Sequence, residues 1–275
     1  MHATDVKKFL EDIDGLSTIP SMFGKILSFV KKEDPSLKEL ENLITYDQAM
    51  AERVLRAANS RRFGHSGQVR DIRQAIMLLG FEQIKDLVVG MSVVEVYPSQ
   101  CSFNMKNLWF HSYEVALLSS VLADRVTMTS PEECFLAGLL HDMGRIIFYK
   151  IDCQQFYKII TTDDMLEKEM DLFGCTHAEA GAWLAEAAGM PSEIIASIRF
   201  HHCPSKTMEF RDSVSIISLA EALSRMFDPR IEDDGLWTGE HDALLLELGI
   251  DSNDLAVIGG NFFGSKKEAE KFFNA

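Results

Sequence analysis

The stretch Ser130-Pro131-Glu132-Glu133-Cys134-Phe135-Leu136-Ala137-Gly138-Leu139-Leu140-His141-Asp142-Met143-Gly144-Arg145 decides the fold. Ser130 is a good N-cap, Pro131 suits the first helical position, and Glu133 follows at the third. The apolar run Phe135–Leu140 then describes a buried helix, and it stops at the polar pair His141-Asp142. A helix that carries polar groups into a core at its end is a frame for a buried site.

Working outward, helical spacing recurs on both sides. Towards the N-terminus, Met22, Ile26, Phe29 and Val30 share a face of Ser21–Val30. Ser36-Leu37-Lys38-Glu39 forms a capping box after Pro35, with Leu40, Leu43 and Ile44 following. Ala49–Ala58, Asp71–Leu79 and Phe81–Tyr97 continue the pattern, the last two split by Gly80. The valines of Phe81–Tyr97 have a strand-like flavour, but the length without turn signals predicts a helix. Pro98-Ser99-Gln100 interrupts the pattern and predicts a boundary near Tyr97–Phe103. On the other side, helices are expected over Leu108–Val126, from the capping box Thr176-His177-Ala178-Glu179 to Ala188, over Pro191–Phe200 and over Val214–Phe227. A loop over Asp228–Gly239 and weaker helices near Ala243–Leu248 and Asp251–Phe273 complete the reading. The fold class is all-α: an N-terminal helical lobe over 1–100, a helical core over 101–228 and a C-terminal helical extension over 229–275.

The 275 residues carry 27 Lys and Arg against 42 Asp and Glu, a net charge of −15. That field opposes phosphate backbones and anionic lipid, so nonspecific nucleic-acid binding and membrane attachment are not expected. The five cysteines are odd in number and show no C-x-x-C spacing, which argues against a disulfide framework and a zinc ribbon. Met1–Leu10 is mixed and charged, unlike a signal peptide, and stretches such as Val115–Ala123 are far shorter than the ~20 residues of a membrane span. A cytoplasmic protein is expected.

Chemistry concentrates in the histidines. His111 shares a helix face with Val115, Leu118 and Leu122 and so points inward. His141-Asp142 and His201-His202 stand at helix ends, and His177 at a helix start. Any one of these also suits a hydrogen-bonded core residue or a helix-dipole partner. Together, imidazoles and a carboxylate arriving from several helix ends suit a buried divalent metal.

The words around these residues resemble the HD superfamily of metal-dependent phosphohydrolases, and within it the HDOD domain. The resemblance runs from about Leu16 to Phe227. It rests on Leu16-Ser17-Thr18-Ile19-Pro20, Leu43-Ile44-Thr45-Tyr46-Asp47, Val54-Leu55-Arg56-Ala57-Ala58-Asn59-Ser60 and Gln74-Ala75-Ile76-Met77-Leu78-Leu79-Gly80 in the first half. In the second it rests on Trp109-Phe110-His111-Ser112, Phe135–Arg145, Gly174-Cys175-Thr176-His177-Ala178-Glu179-Ala180-Gly181, Met190-Pro191 and His201-His202. The first-half words separate HDOD from other HD proteins. The resemblance implies a two-lobed architecture with an HD-type core. It implies a first metal held by His111, His141, Asp142 and, in place of the usual Asp, Glu221. HD-GYP phosphodiesterases add ligands at positions matching His177, His201 and His202. The metal would be a divalent transition ion: iron, manganese, zinc or nickel. Asp142 and Arg145 would then serve catalysis, Arg145 clamping a phosphate oxygen.

The chain departs from the enzymes in two places. Cys203-Pro204-Ser205-Lys206 follows His202 where HD-GYP proteins carry Gly-Tyr-Pro, and Asn107 replaces a Glu ligand one turn before His111. HDOD domains as a group look like regulatory modules. The expectation is a stand-alone, bacterial-type signalling module that works through protein contacts, with a metal or small ligand in the HD-like pocket. The rival is a metal-dependent phosphohydrolase acting on a nucleotide or cyclic dinucleotide. A metal- or redox-sensing switch using Cys203 is a third and weaker reading.

Overall fold

The computed structural model describes residues 2–12, 29, 36–45, 48–59, 69–94, 105–126, 129–160, 162, 164–227 and 237–273. Every regular element among them is helical, as expected for an all-α chain. The first helix, α1, spans Ala3–Asp12. Then come α2 (Leu37–Thr45), α3 (Gln48–Ala58), α4 (Ile72–Leu79) and α5 (Phe81–Val94). A third group comprises α6 (Met105–Ala123), α7 (Pro131–Leu140), α8 (Met143–Ile151), α9 (Cys153–Ile159) and α10 (Met165–Phe173). Last are α11 (His177–Ala187), α12 (Ser192–Phe200), α13 (Arg211–Phe227), α14 (Gly239–Leu248) and α15 (Ser252–Phe273). The expected helix over Ser21–Val30, apart from the helical Phe29, the boundary near Tyr97–Phe103 and most of the loop after Phe227 lie outside the described residues.

The helix starts obey their local signals. Ser36 and Glu39 exchange the two hydrogen bonds of a capping box, and so do Thr176 and Glu179. The Ser130 side chain accepts from the Glu133 N–H, with Pro131 at the first position. The valine-rich stretch is the helix α5, because burial of Val88 and Val89 on one face outweighs their mild β-preference. Three helices between Met143 and Phe173 had no separate expectation. A single residue, Asp152, divides α8 from α9 by capping Gln154 and Gln155, so the break is one residue wide and invisible to periodicity.

The chain divides into two compact units. The smaller holds residues 25–95 and 263–275, where α2, α3, α4 and α5 pack on one another around Leu40, Ile44, Val54, Ile76 and Ile84. Asn59 bonds to Val69 twice: its amide donates to the Val69 carbonyl at 2.7 Å and accepts from the Val69 N–H at 3.0 Å.

The larger unit holds residues 1–24 and 96–262. Its central helix is α6, buried along most of its length and flanked by α7 and α13. Next to these, α11 packs on α8 and α12, and α1 lies on α8 and α11. Two glycines set the closeness of these contacts. A Cβ on Gly138 would sit 2.9 Å from the Ala116 Cα, so α7 lies directly on α6. A Cβ on Gly144 would sit 1.9 Å from the His177 carbonyl oxygen, so α8 touches the first turn of α11 backbone to backbone. These contacts bring His141 to His111 and Asp142 to His177.

Candidate metal centre

The sequence-derived candidates converge. His111 comes from the middle of α6 and Glu221 from the middle of α13. His141 and Asp142 occupy the corner between α7 and α8. His177 is the first residue of α11, and His201 and His202 follow the end of α12. Nε2 of His141 lies 3.4 Å from Asp142 Oδ2, and Nε2 of His111 lies 3.8 Å from the same oxygen. Asp142 Oδ1 faces His177 Nε2 at 3.2 Å and Arg145 Nε at 2.9 Å. Glu221 Oε1 is 4.0 Å from His141 Nε2, and Oε2 is 3.8 Å from both His201 Nε2 and His202 Nδ1. His177 and His202 approach at 3.0 Å through their Nε2 atoms.

Backbone groups aim the rings. Nδ1 of His141 meets the Gly138 carbonyl at 2.7 Å, and Nδ1 of His201 meets the Ile198 carbonyl at 2.7 Å. A carbonyl only accepts, so each Nδ1 carries a proton and a neutral ring leaves a lone pair on Nε2. His111 Nδ1 meets the Ser224 hydroxyl at 3.3 Å. The result is a set of buried atoms aimed inward and lacking a hydrogen-bond partner: Nε2 of His111, His141 and His201, and Oδ2 of Asp142, whose Oδ1 is taken by Arg145 and His177. Each unsatisfied buried group costs roughly 1–3 kcal/mol. Three groups of these residues, His111/His141/Glu221, His141/Asp142/His201 and His177/His201/His202, bring one donor atom each within 4.8 Å of one another. Nitrogen and carboxylate donors so oriented, with their outer nitrogens held by a second layer, fit a divalent transition metal.

The same fingerprint is legible along the chain: the HDOD domain family matches residues 16–204. The chain belongs to the HDOD family. An HDOD domain protein of unknown function from Geobacter sulfurreducens superposes with a TM-score of 0.76 at 21% identity, covering 98% of both chains. A candidate phosphohydrolase from Shewanella amazonensis SB2B gives 0.71 at 25% identity over 97% of both. A candidate signal transduction protein from Marinobacter aquaeolei VT8 gives 0.71 at 19% identity, covering 92% of this chain and 57% of that one. In sequence, an uncharacterised protein of Treponema pallidum is 26% identical over 225 residues, which is 78% of this chain and 43% of that protein. The chain thus spans less than half the length of the curated relatives it matches. No helix among the described residues of this HDOD protein is long and apolar enough to cross a membrane.

Burial and neighbouring charge set opposite proton preferences within the HDOD pocket. Burial, reinforced by Arg225, holds His111 well below the usual imidazole range, and burial with His202 does the same to His201. Burial also works against charge on His177, but the Glu169 carboxylate outweighs it and lifts that ring to about 10. Asp142 lifts His141 in the same way against its own burial. Asp142 and Glu221 both stay ionised despite burial, Asp142 through Arg145 and His141, Glu221 through His202, His201 and His141.

Three residues of this arrangement escaped the sequence reading. Glu169 accepts from both the backbone N–H of His177, at 2.8 Å, and its Nδ1, at 2.9 Å. Its signal was present: it stands four residues from Met165 and four from Phe173, both buried, so a carboxylate lies on the apolar face of α10. Arg225, one turn beyond Glu221, contacts that carboxylate at 3.2 Å, and Ser224 meets His111. Arg145, expected to clamp a phosphate, is fully buried against Asp142. Asn107 is half-buried one turn before His111, and the half-buried Cys203 precedes a short 3-10 turn, Pro204–Lys206.

Proposed function

We propose that this chain is a regulatory HDOD module acting through contacts with signalling proteins, and that its larger unit holds a divalent transition metal in the histidine cluster. His111, His141, Asp142 and Glu221 would hold one ion, and His177, His201 and His202 offer further donors around Asp142. When bound, the metal supplies Lewis acidity. The chain's own residues position it: the Gly138 and Ile198 carbonyls aim His141 and His201, Glu169 aims His177, and Arg145 holds Asp142.

The observation that carries the regulatory reading is enclosure. His111, His141, Asp142, His177, His201 and Glu221 are each at most 2% exposed. A hydrolytic metal site keeps an open position and a route for substrate. Here the His202 side chain, 10% exposed, is the most exposed of the candidate ligands. Its neighbourhood also lacks the Gly-Tyr-Pro word of the HD-GYP phosphodiesterases.

Calorimetric titration of metal-stripped protein with manganese and zinc, paired with an assay on cyclic di-GMP and nucleotides, tests both halves. Binding that is lost in His141→Ala, with no turnover near 1 s⁻¹, the lower end of typical enzyme rates, is the expected result. Metal-dependent turnover at or above that rate would favour the second reading, a metal-dependent phosphohydrolase acting on a nucleotide or cyclic dinucleotide. That alternative draws support from the inward-aimed ligand set and from the likeness to the candidate phosphohydrolase of Shewanella amazonensis.

A further inference from the structure

Asp142 and Glu221, two of the carboxylates that face the histidines, already have a cation of their own. Asp142 has Arg145 three residues on, at 2.9 Å, and Glu221 has Arg225 four residues on, at 3.2 Å. Neither arginine is a surface residue: Arg145 is 0% exposed and Arg225 8%. Burying a guanidinium is costly unless it meets a fixed anion, so each pair is a built feature of the core. The two pairs differ in what they occupy. Arg145 shares Asp142 Oδ1 with His177, which leaves Oδ2 facing His111 and His141. Arg225 contacts Glu221 Oε1, and Oε1 is the oxygen that lies 4.0 Å from His141. The guanidinium and an ion in the His111/His141/Glu221 group would therefore draw on the same oxygen.

We infer that Arg145 and Arg225 are resident counter-cations, which keep the pocket folded without metal, and that Arg225 competes with a divalent ion for Glu221. The inference rests on the metal-holding reading above and deepens it into a regulation of occupancy. Two carboxylates matched by two guanidinium groups need no metal to remain ionised in the core. A dication entering the His111/His141/Glu221 group must displace Arg225 from Oε1 or share that oxygen with it, and either outcome weakens binding. Breaking the Arg225 contact would then favour occupancy. Arg225 is a positioning residue, and it lies in α13 beside Ser224, the residue that meets His111.

The test compares wild-type protein with Arg225→Met, which keeps an unbranched apolar stem and removes the charge. Mere structural damage would weaken metal binding, whereas competition predicts the reverse. Manganese affinity measured by calorimetry should rise on the order of tenfold in the variant, since a unit charge beside the site is removed. Wild-type protein should keep its circular dichroism and melting temperature after exhaustive chelation. The variant should melt lower in chelator and recover with manganese. Zinc added to isotope-labelled wild-type protein should also shift the Arg225 side-chain nitrogen resonances, a readout that does not depend on whether the variant folds. If wild-type protein binds metal but Arg225→Met binds it no more tightly, or the Arg225 resonances do not move, the competition is wrong and the metal-holding reading stands. Unfolding of wild-type protein on chelation would likewise overturn the counter-cation role. If neither protein binds manganese or zinc while both stay folded, the metal-holding reading itself fails.

Discussion

The smaller unit and the centre of the larger one solve the problem of a helical interior in opposite ways. In the smaller unit, Leu40, Ile44, Val54, Ile72, Ile76, Ile84 and Val88 meet, and the buried charged side chains among its described residues are Lys85 and Lys266. Lys85 pairs with Glu82 one turn away on its own helix. In the larger unit, among its described residues, four buried histidines, four buried carboxylates and two buried arginines sit within the apolar packing of its helices. Apolar packing is tolerant, because any residue of the right size on the right face contributes. A buried polar centre tolerates much less, because each group must meet a partner at a fixed distance and angle. Damage in the two regions should therefore differ in kind as well as in size.

The largest effect is expected from Gly144→Ala. Its Cβ would overlap the His177 carbonyl, so α8 must move off α11 and Asp142 must leave His177. Destabilisation of about 3 kcal/mol or more should accompany loss of metal binding, read by thermal melting and calorimetry. Wild-type melting would break the contrast, because a tolerant backbone contact there means the polar centre is not tightly held. Next is Ile84→Ala in the smaller unit, a cavity mutation costing about 2–4 kcal/mol. Trp109, Trp183 and Trp237 all belong to the larger unit. The loss should therefore appear in far-ultraviolet dichroism more than in tryptophan emission, with metal binding retained.

Asn59→Ala sharpens the comparison from the other side, since Asn59 is the polar staple of the mostly apolar unit. Losing its two bonds to Val69 should cost about 1–2 kcal/mol, measurable by urea denaturation. The smallest effect is expected at the surface. Arg211 donates two hydrogen bonds to Glu247 at 3.0 Å, which hold that carboxyl below its ordinary value. A lowered folded pKa gives stability that is present above the unfolded value and lost as pH falls through the folded one. Glu247→Gln should therefore flatten the stability profile on the acid side of pH 4.5, with a change well under about 1 kcal/mol at pH 7 because the pair is solvent-screened.

Helix identity was legible because its causes are local. Ser36, Ser130 and Thr176 announce helix starts within three residues of themselves, and the spacing of Leu40 and Ile44 declares a buried face. His111, His141, Asp142, His177, His201 and His202 were legible as candidates because each is a polar residue on an apolar face or at a helix end, whereas Glu221 was implied only by the HDOD resemblance. The break at Asp152 was not legible, since one residue does both the ending and the restarting. Glu169 was not legible because Glu167, Lys168 and Asp171 make its neighbourhood look like a solvated face.

By itself the sequence determined an all-α chain of the HDOD family, the residue types available for a metal, and the inward direction of His111. These follow from 3.6-residue periodicity and capping, which act within a few residues. The tertiary structure alone decided which of those residues meet. The approach of α8 to α11 at Gly144, the aim of His141 and His201 by carbonyls three residues back, the support of His177 by Glu169, and the claim of Arg225 on Glu221 all depend on how helices pack. Packing joins atoms far apart in the chain, and the energy of a polar contact changes steeply over a fraction of an ångström, a scale no local pattern encodes.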